Sequence, residues 1–312
     1  MPIIVYLLGY LSIIIMLAAM LIKVIGYKKN PTHVRWEIYP IPHDAKRASY
    51  GGSYLEEVDW WKKERKHSLL GTIKEMALEI LFLKGVWENN RSLWVVTYPF
   101  HLGLYLIVGF LGLLILNTLC TMAGIPVDAS STFGSIIIAL TNLFGPVSFI
   151  LCAVGALGLF VRRITDRGLN NYSSFSHFFN LGIFILTMTV AILTWLIADP
   201  HFGMTKQFIY DFMTFNFGTL GGGLFTLQLI LAFFVIAYIP LTHMSHFFMK
   251  YFFYHEIRWQ DEPNLDNDKT EKQIGTYLSY PVTWSAPHIA GHGKSTWGEV
   301  AMFNPAAEED KK

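Results

Sequence analysis

The sequence predicts an all-α integral membrane protein with five transmembrane helices. Of its 312 residues, 53% are hydrophobic and 15% are charged, whereas soluble domains carry about 25% charged residues. Five apolar runs are each long enough to cross a bilayer, which takes about 20 residues. The net charge of +1, without a basic block, argues against nucleic acid as a partner.

The five runs define the predicted spans, and the first of them lies within residues 1–26. It is too long for the apolar part of a signal peptide, and no basic segment precedes it, so we expect it to be retained. The other four spans make up residues 93–254. In chain order the apolar runs cover residues 3–25, 93–120, 136–161, 178–198 and 218–254.

The distribution of Lys and Arg predicts the orientation. Connections 27–92 and 162–176 are rich in Lys and Arg, whereas 121–135 has none and 199–217 has only Lys206. Basic residues accumulate in cytoplasmic loops. The N-terminus is therefore expected outside and the C-terminus in the cytoplasm, with the protein crossing the cell inner (cytoplasmic) membrane several times.

Two polar segments are predicted to lie on the cytoplasmic side. Within the long connection 27–92, apolar residues recur at helical spacing and predict an amphipathic helix over about 68–86. We expect this helix to lie on the membrane surface or against a partner. The tail, residues 255–312, has no periodicity and is expected to be mostly irregular and available for docking.

Four of the eleven histidines fall within or at the edge of spans. His101 lies eight residues after the start of span two, and His246 lies eight residues before the end of span five. Both counts correspond to a depth of roughly 12 Å. His243 is one turn deeper and His177 opens span four from the same side, so the four imidazoles are expected at one level.

Imidazoles at matched depth on different helices are what a haem with two axial histidines requires. His101 would ligate the iron together with either His243 or His246, since these two cannot readily serve one iron. Arg162 and Arg163, at the cytoplasmic end of span three, suit the two propionates of a haem.

Other interpretations of the histidines remain open. Without haem they would form a proton relay, a hydrogen-bonding site for a quinone, or structural polar contacts. A di-iron enzyme needs several histidine boxes, whereas HxxH occurs once, and the repeat typical of transporters is not evident. Gln228, towards the outer leaflet, would bond a quinone or a neighbouring helix, and a role for His201 is equally open.

The five spans, with the segments FHLGLYLIVG and PLTHMSH, resemble the cytochrome b (gamma) subunit of membrane-bound respiratory nitrate reductase. In that family spans two and five ligate two b-type haems, and the inner pair falls on His101 and His246. The outer pair falls on Phe110 or Leu111 and on Gln228, which do not match. The resemblance therefore does not predict an outer haem in this chain.

Further segments narrow the resemblance to the DsrM type, the cytochrome b subunit of the membrane complex associated with dissimilatory sulfite reduction. This type is related to the membrane subunit of heterodisulfide reductase. His177 in span four agrees with it, and the likeness covers nearly the whole chain. The segments that carry it are VRWEIYPIP, GGSYLEEVDWW, KEMALEILFLKG and YPVTWSAPHIAGHGKSTWGEVAMFNP.

This resemblance implies a nitrate reductase gamma-like bundle with one b-type haem, or two, and menaquinone as the substrate. It implies a cytoplasmic iron–sulfur partner similar to heterodisulfide reductase, together with other membrane and extracytoplasmic subunits. The chain would be the electron-transfer subunit of an oxidoreductase linked to sulfite or sulfate respiration. His177 and His243 are then candidates for a second haem or for handling the protons of the quinone.

Overall fold

The computed structural model describes residues 2–29, 44, 46–47, 49–50, 52, 56–63, 68–255, 259, 269–284 and 295–303. Within these residues the protein is all-α, and an isolated bridge between Pro281 and Thr296 is the one strand-like pairing. Residues 34–42, one of the segments that carry the resemblance, and residues 285–294 of the tail lie outside the described residues.

Five helices are long and apolar enough to span a membrane, as the sequence predicts. They are α1, α4, α5, α7 and α9, and the fifth span extends through a short 3-10 turn to Leu241. The helices are α1 (Pro2–Lys29), α2 (Leu69–Leu81), α3 (Lys84–Asn89), α4 (Arg91–Met122), α5 (Thr132–Thr165), α6 (Arg167–Asn171), α7 (Phe175–Ile197), α8 (Gly203–Met213), α9 (Gly223–Tyr238), α10 (His246–Phe253), α11 (Lys269–Leu278) and α12 (Trp297–Met302).

The chain forms two compact units. One contains residues 1–21 and 75–245, and the other contains 22–74 and 246–312. The first unit holds most of the five spans and two clusters of buried apolar side chains. The second holds α10, α11 and α12, and in it the ring of Tyr27 lies 6.3 Å from that of Phe252.

Helices α4 and α5 pack with their backbones in close approach. A Cβ atom added to Gly103 would lie 2.5 Å from the backbone nitrogen of Cys152, and one added to Gly155 would meet the backbone nitrogen of Phe100. Helices that associate in lipid displace no water, so van der Waals packing holds them together. Small residues at the contact allow this packing. Gly103, the glycine of the FHLG segment, therefore contacts α5.

The end of the bundle where Arg91, Arg162 and Arg163 lie is called here the basic end. There the Arg162 guanidinium donates to the hydroxyl of Ser92 (3.1 Å). At the opposite end, α8 packs against α1, with the ring of Tyr6 4.9 Å from Phe208 and that of Tyr10 4.2 Å from Phe212. Helix α8 was not predicted, because residues 199–217 lack an apolar run of spanning length.

The fifth span is shorter than predicted. Helix α9 ends at Tyr238, a 3-10 turn covers Ile239–Leu241, and a second covers His243–Ser245 before α10 begins at His246. Pro240 lacks a backbone N–H and its ring clashes with the preceding turn, which ends an α-helix. Because the span stops there, depths counted back along an ideal helix from Tyr254 do not apply to His243.

The amphipathic helix is also interrupted. Leu83 adopts a left-handed backbone conformation (φ 53°) and separates α2 from α3. The break is stabilised by the indole of Trp94, which donates to the carbonyl of Phe82 (2.9 Å). The phenol of Tyr105 donates to the carbonyl of Ile80. Apolar residues of α2 remain exposed, among them Leu70, in agreement with a helix that lies against a membrane or a partner.

The tail is not wholly irregular. Helix α12 begins with a capping box in which the Thr296 hydroxyl accepts from the Glu299 amide (3.3 Å) and the Glu299 carboxylate accepts from the Thr296 amide (3.0 Å). The sequence TWGE has the spacing of this motif, so the start of α12 was visible in the sequence.

Substitution of Gly103 by Leu is expected to destabilise the protein, because the new side chain meets the α5 backbone. Overpacking costs about 1–3 kcal/mol, so we expect the unfolding temperature in detergent to fall by about 2–10 °C. Gly112→Leu is the matched control on the same helix, since nothing lies within 4 Å of its added Cβ. Equal unfolding temperatures for both variants would contradict the close α4–α5 contact.

The capping box is expected to persist in acid. Hydrogen bonds from Ser295 and Thr296 lower the pKa of the Glu299 carboxyl to about 2. Because this pKa is depressed in the folded chain, the contribution is complete above the ordinary value of 4.5 and is lost as the pH falls through about 2. Hydrogen exchange of the Ser295 and Thr296 amides should therefore be slowed at pH 4 to 6 in the wild type but not in Glu299→Ala. Exchange that is equally fast in both would contradict the capping box.

Candidate functional site

His101 is held in one tautomer by the turn of α4 that precedes it. Its Nδ1 lies 2.8 Å from the carbonyl oxygen of Thr97 and 3.4 Å from the Thr97 hydroxyl. A carbonyl oxygen only accepts, so Nδ1 carries the proton and donates it. The neutral ring therefore has its lone pair on Nε2, which is the arrangement of most histidines that ligate metals.

The neighbours of His101 on α4 fix its level in the bundle. Phe100 is buried and packs edge-on against Phe184 of α7, with ring centroids 5.2 Å apart. Phe184 lies seven residues beyond His177 on the same helix, a rise of about 10 Å. His101 is thus about two turns farther from the basic end than His177, and the histidines of this unit occupy two levels instead of the predicted single one.

His177 and His243 lie side by side. Their ring centroids are 5.4 Å apart with an interplanar angle of 41°. His177 comes from the first turn of α7, and His243 comes from the 3-10 turn that follows Pro240. The fifth span is therefore interrupted where the His243 ring lies against the His177 ring at the start of α7.

Two polar residues complete this group, and neither was predicted. Asn180 is 5% exposed, and its Nδ2 lies 3.5 Å from Nδ1 of His243. The Tyr238 hydroxyl donates to Oδ1 of Asn180 (2.8 Å). His177, Asn180, Tyr238 and His243 form what we call the polar cluster, which joins α7 to the end of the fifth span.

The capping box of α7 gives His177 a different tautomer from that of His101. The backbone amide of Ser174 donates to Nδ1 of His177 (3.0 Å), and the amide group of Asn180 faces Nδ1 of His243. A backbone N–H only donates, so Nδ1 of His177 accepts. The proton of the neutral His177 ring is then on Nε2, which makes this Nε2 atom a donor.

The two arginines predicted to face haem propionates lie at the basic end. The Nε atom of Arg162 is buried without a hydrogen-bond partner, although its terminal nitrogen donates to Ser92. Arg163 donates to the hydroxyl of Ser173 (3.0 Å), which neighbours Ser174 of the α7 cap. A buried guanidinium nitrogen without an acceptor is costly, and a carboxylate would satisfy it.

His246 belongs to the other compact unit, where it begins α10. Its pairing with His101 stays a prediction from the sequence. His243 lies in a 3-10 turn and His246 opens a new helix, so the predicted continuous span through both residues is interrupted. Pro240 is the physical reason for the break.

Phe110, one of the residues on which the resemblance places the outer haem ligand, packs among aromatic rings. Phe110 is buried, with its ring 4.8 Å from Phe202 and 5.8 Å from Phe149. Gln228 is half-buried on α9, and His201 is exposed beside α8. Phe110 is thus part of a packed apolar core, together with Phe149 and Phe202.

Sequence reasoning missed Asn180 and Tyr238 because neither belongs to a motif. The only available signal is an asparagine inside an apolar run, since polar groups within spans are rare and commonly functional. Within the described part of the chain, no group of three or more His, Cys, Asp or Glu side chains is arranged to hold a metal ion.

Comparison with family models, with curated proteins and with solved structures gave no match.

Proposed function

We propose that this protein is the cytochrome b subunit of a membrane redox complex in the cell inner membrane. It exchanges electrons with menaquinone and passes them through b-type haem to a cytoplasmic iron–sulfur subunit linked to sulfur metabolism. The observation that supports this most directly is the tautomer of His101. Its Nδ1–H donates to the Thr97 carbonyl, which is the hydrogen bond that commonly orients a histidine that ligates a metal through Nε2.

The residues present fit a b-type haem. His101 would supply one axial ligand and His246, by the resemblance, the other. The buried Arg162 Nε, which lacks an acceptor, suits a propionate, and Arg163 lies next to it in the sequence. When bound, the haem would supply reversible one-electron transfer, whereas the chain supplies ligands, orientation and an apolar surrounding.

The Thr97 carbonyl has a defined part in this proposal. By accepting a hydrogen bond from Nδ1–H of His101, this carbonyl orients the ring and raises the basicity of Nε2. A carbonyl in a helix cannot rotate away, so the ring would be held in its ligating orientation before haem binds. Preorganisation of this kind lowers the cost of binding.

Partner contacts would involve the polar segments on the cytoplasmic side. Helix α2 exposes apolar residues, and the Lys84 ammonium pairs with the Glu75 carboxylate across the break at Leu83. Together with the tail helices α11 and α12, this segment would dock the iron–sulfur subunit. Other membrane and extracytoplasmic subunits would contact the remaining surfaces.

His101→Leu is expected to abolish a dithionite-reducible, low-spin b-type α band in the visible spectrum of the purified protein, because the axial nitrogen is lost. The same loss is expected for His246→Leu. His201→Leu is the matched control, since His201 is exposed at the opposite end of the bundle. A wild-type protein without this α band would contradict the proposed function, and a band that survives both substitutions would contradict the ligand pair.

A further inference from the structure

We propose that helix α2 and the turn that follows it lie inside the membrane leaflet at the basic end, with their apolar side against lipid acyl chains. The sequence leaves a membrane and a partner protein equally open for this side. Three features of the structure support lipid: the direction of the apolar side, the level at which α4 holds the turn, and the donors that cover the carbonyls of the turn. None of the three depends on haem.

Helix α2 turns its carboxylates towards α3 and exposes its apolar side. Glu75 pairs with the Lys84 ammonium, and a Cβ atom added to Gly85 would lie 3.5 Å from the Glu79 carboxylate. Both glutamates are half-buried. A helix in water instead buries its apolar side and exposes its charges, so the reversed arrangement suits a helix that lies in lipid. The exposed apolar residues share one side of the helix and are Leu70, Ile73 and Leu81.

Two side chains of α4 fix the level of the turn. The indole of Trp94 donates to the carbonyl of Phe82 (2.9 Å), and the phenol of Tyr105 donates to the carbonyl of Ile80. Trp94 and Tyr105 are separated by about 16 Å along the axis of α4. The turn therefore lies beside α4 between these two residues, in the first half of a helix that is long and apolar enough to span a membrane.

An aromatic group with one arginine marks the level of the lipid head groups. The Arg91 guanidinium lies 4.8 Å from the centre of the Trp87 ring, Trp87 lies edge-on to Trp94 at 4.8 Å, and Trp94 stacks on Tyr98 at 4.4 Å. Tryptophan and tyrosine collect at the boundary between lipid and water. Because Trp94 also holds the turn, the turn lies where this boundary meets the hydrocarbon.

The carbonyls of the turn are satisfied by protein donors. Leu83 has a left-handed conformation (φ 53°), and a helix that ends leaves the carbonyls of its last turn without helical amides. Water satisfies such groups at an exposed helix end, whereas in lipid each one needs a partner within the protein. Trp94 and Tyr105 supply two of these partners.

The surroundings of the turn are also consistent with lipid. Val95 and Val108 are exposed on α4, so the exterior of this span is apolar as well. Lys74 is exposed and lies seven residues before Leu81, at the edge of the apolar side. Its long side chain would carry the ammonium to the phosphates of the head groups. Docking of a partner through this segment would then use exposed polar residues of α3, such as Glu88.

The test uses the full-length protein in vesicles of phosphatidylcholine and phosphatidylglycerol, with one nitroxide spin label at a time. Leu81→Cys reports on α2, Val108→Cys is the lipid control on α4, and Asn171→Cys is the water control at the end of α6. Collisions of the label with dioxygen, which concentrates in lipid, are compared with collisions with a water-soluble nickel chelate. Cys120 and Cys152 are buried, and the labelling of the wild type gives their background.

We expect relaxation by the nickel chelate to be lost at Leu81→Cys as at Val108→Cys, with strong relaxation by dioxygen, and to be retained at Asn171→Cys. Ile73→Cys, on the same side of α2, is expected to match Leu81→Cys. Nickel access at both α2 labels equal to that at Asn171→Cys would overturn the inference and identify this side as a surface for a protein partner. Labels on α2 that neither reagent reaches would also overturn it, because protein would then cover this side.

Discussion

The contact between α4 and α5 is the constraint on which the histidine positions depend. Gly103 and Gly155 bring the two backbones together, with no room for a Cβ atom on either glycine. This contact fixes the rotation of α4 about its axis, so Phe100 lies against α5 and α7 in the core. His101 follows Phe100 and lies about 100° farther round the helix. The direction of its ring is thus set by the packing of two glycines.

The second constraint is the break after α9. Within a continuous helix His243 would follow the direction of the fifth span, but Pro240 removes a hydrogen bond and two 3-10 turns replace the α-helix. Irregular backbone inside a membrane protein is tolerated where polar partners satisfy it. Here Thr242 supplies one such partner, since its hydroxyl accepts from the amide of Met244 (3.1 Å). The break accompanies the pairing of His243 with His177.

The chemical difference between the histidines follows from which atom each ring finds at Nδ1. A carbonyl at Nδ1 makes His101 a potential ligand, whereas the backbone amide of Ser174 at Nδ1 makes His177 a hydrogen-bond donor at Nε2. Identical side chains in one apolar bundle are thereby suited to different tasks. Nearby polar groups of modest strength decide this, because an unsatisfied ring nitrogen is costly in a low-dielectric surrounding.

The sequence by itself determined the all-α class, the five apolar spans, the amphipathic segment and the presence of histidines near span ends. Those features follow from local composition and periodicity, which neighbouring residues specify. Only the tertiary structure decided that α2 stops before Leu83, that residues 203–213 form α8, and that Asn180 and Tyr238 join His177 and His243. Asn180 and His243 are separated by 63 positions, and a tautomer is set by whichever group reaches the ring. No local pattern records that contact, because it exists only once the helices have packed.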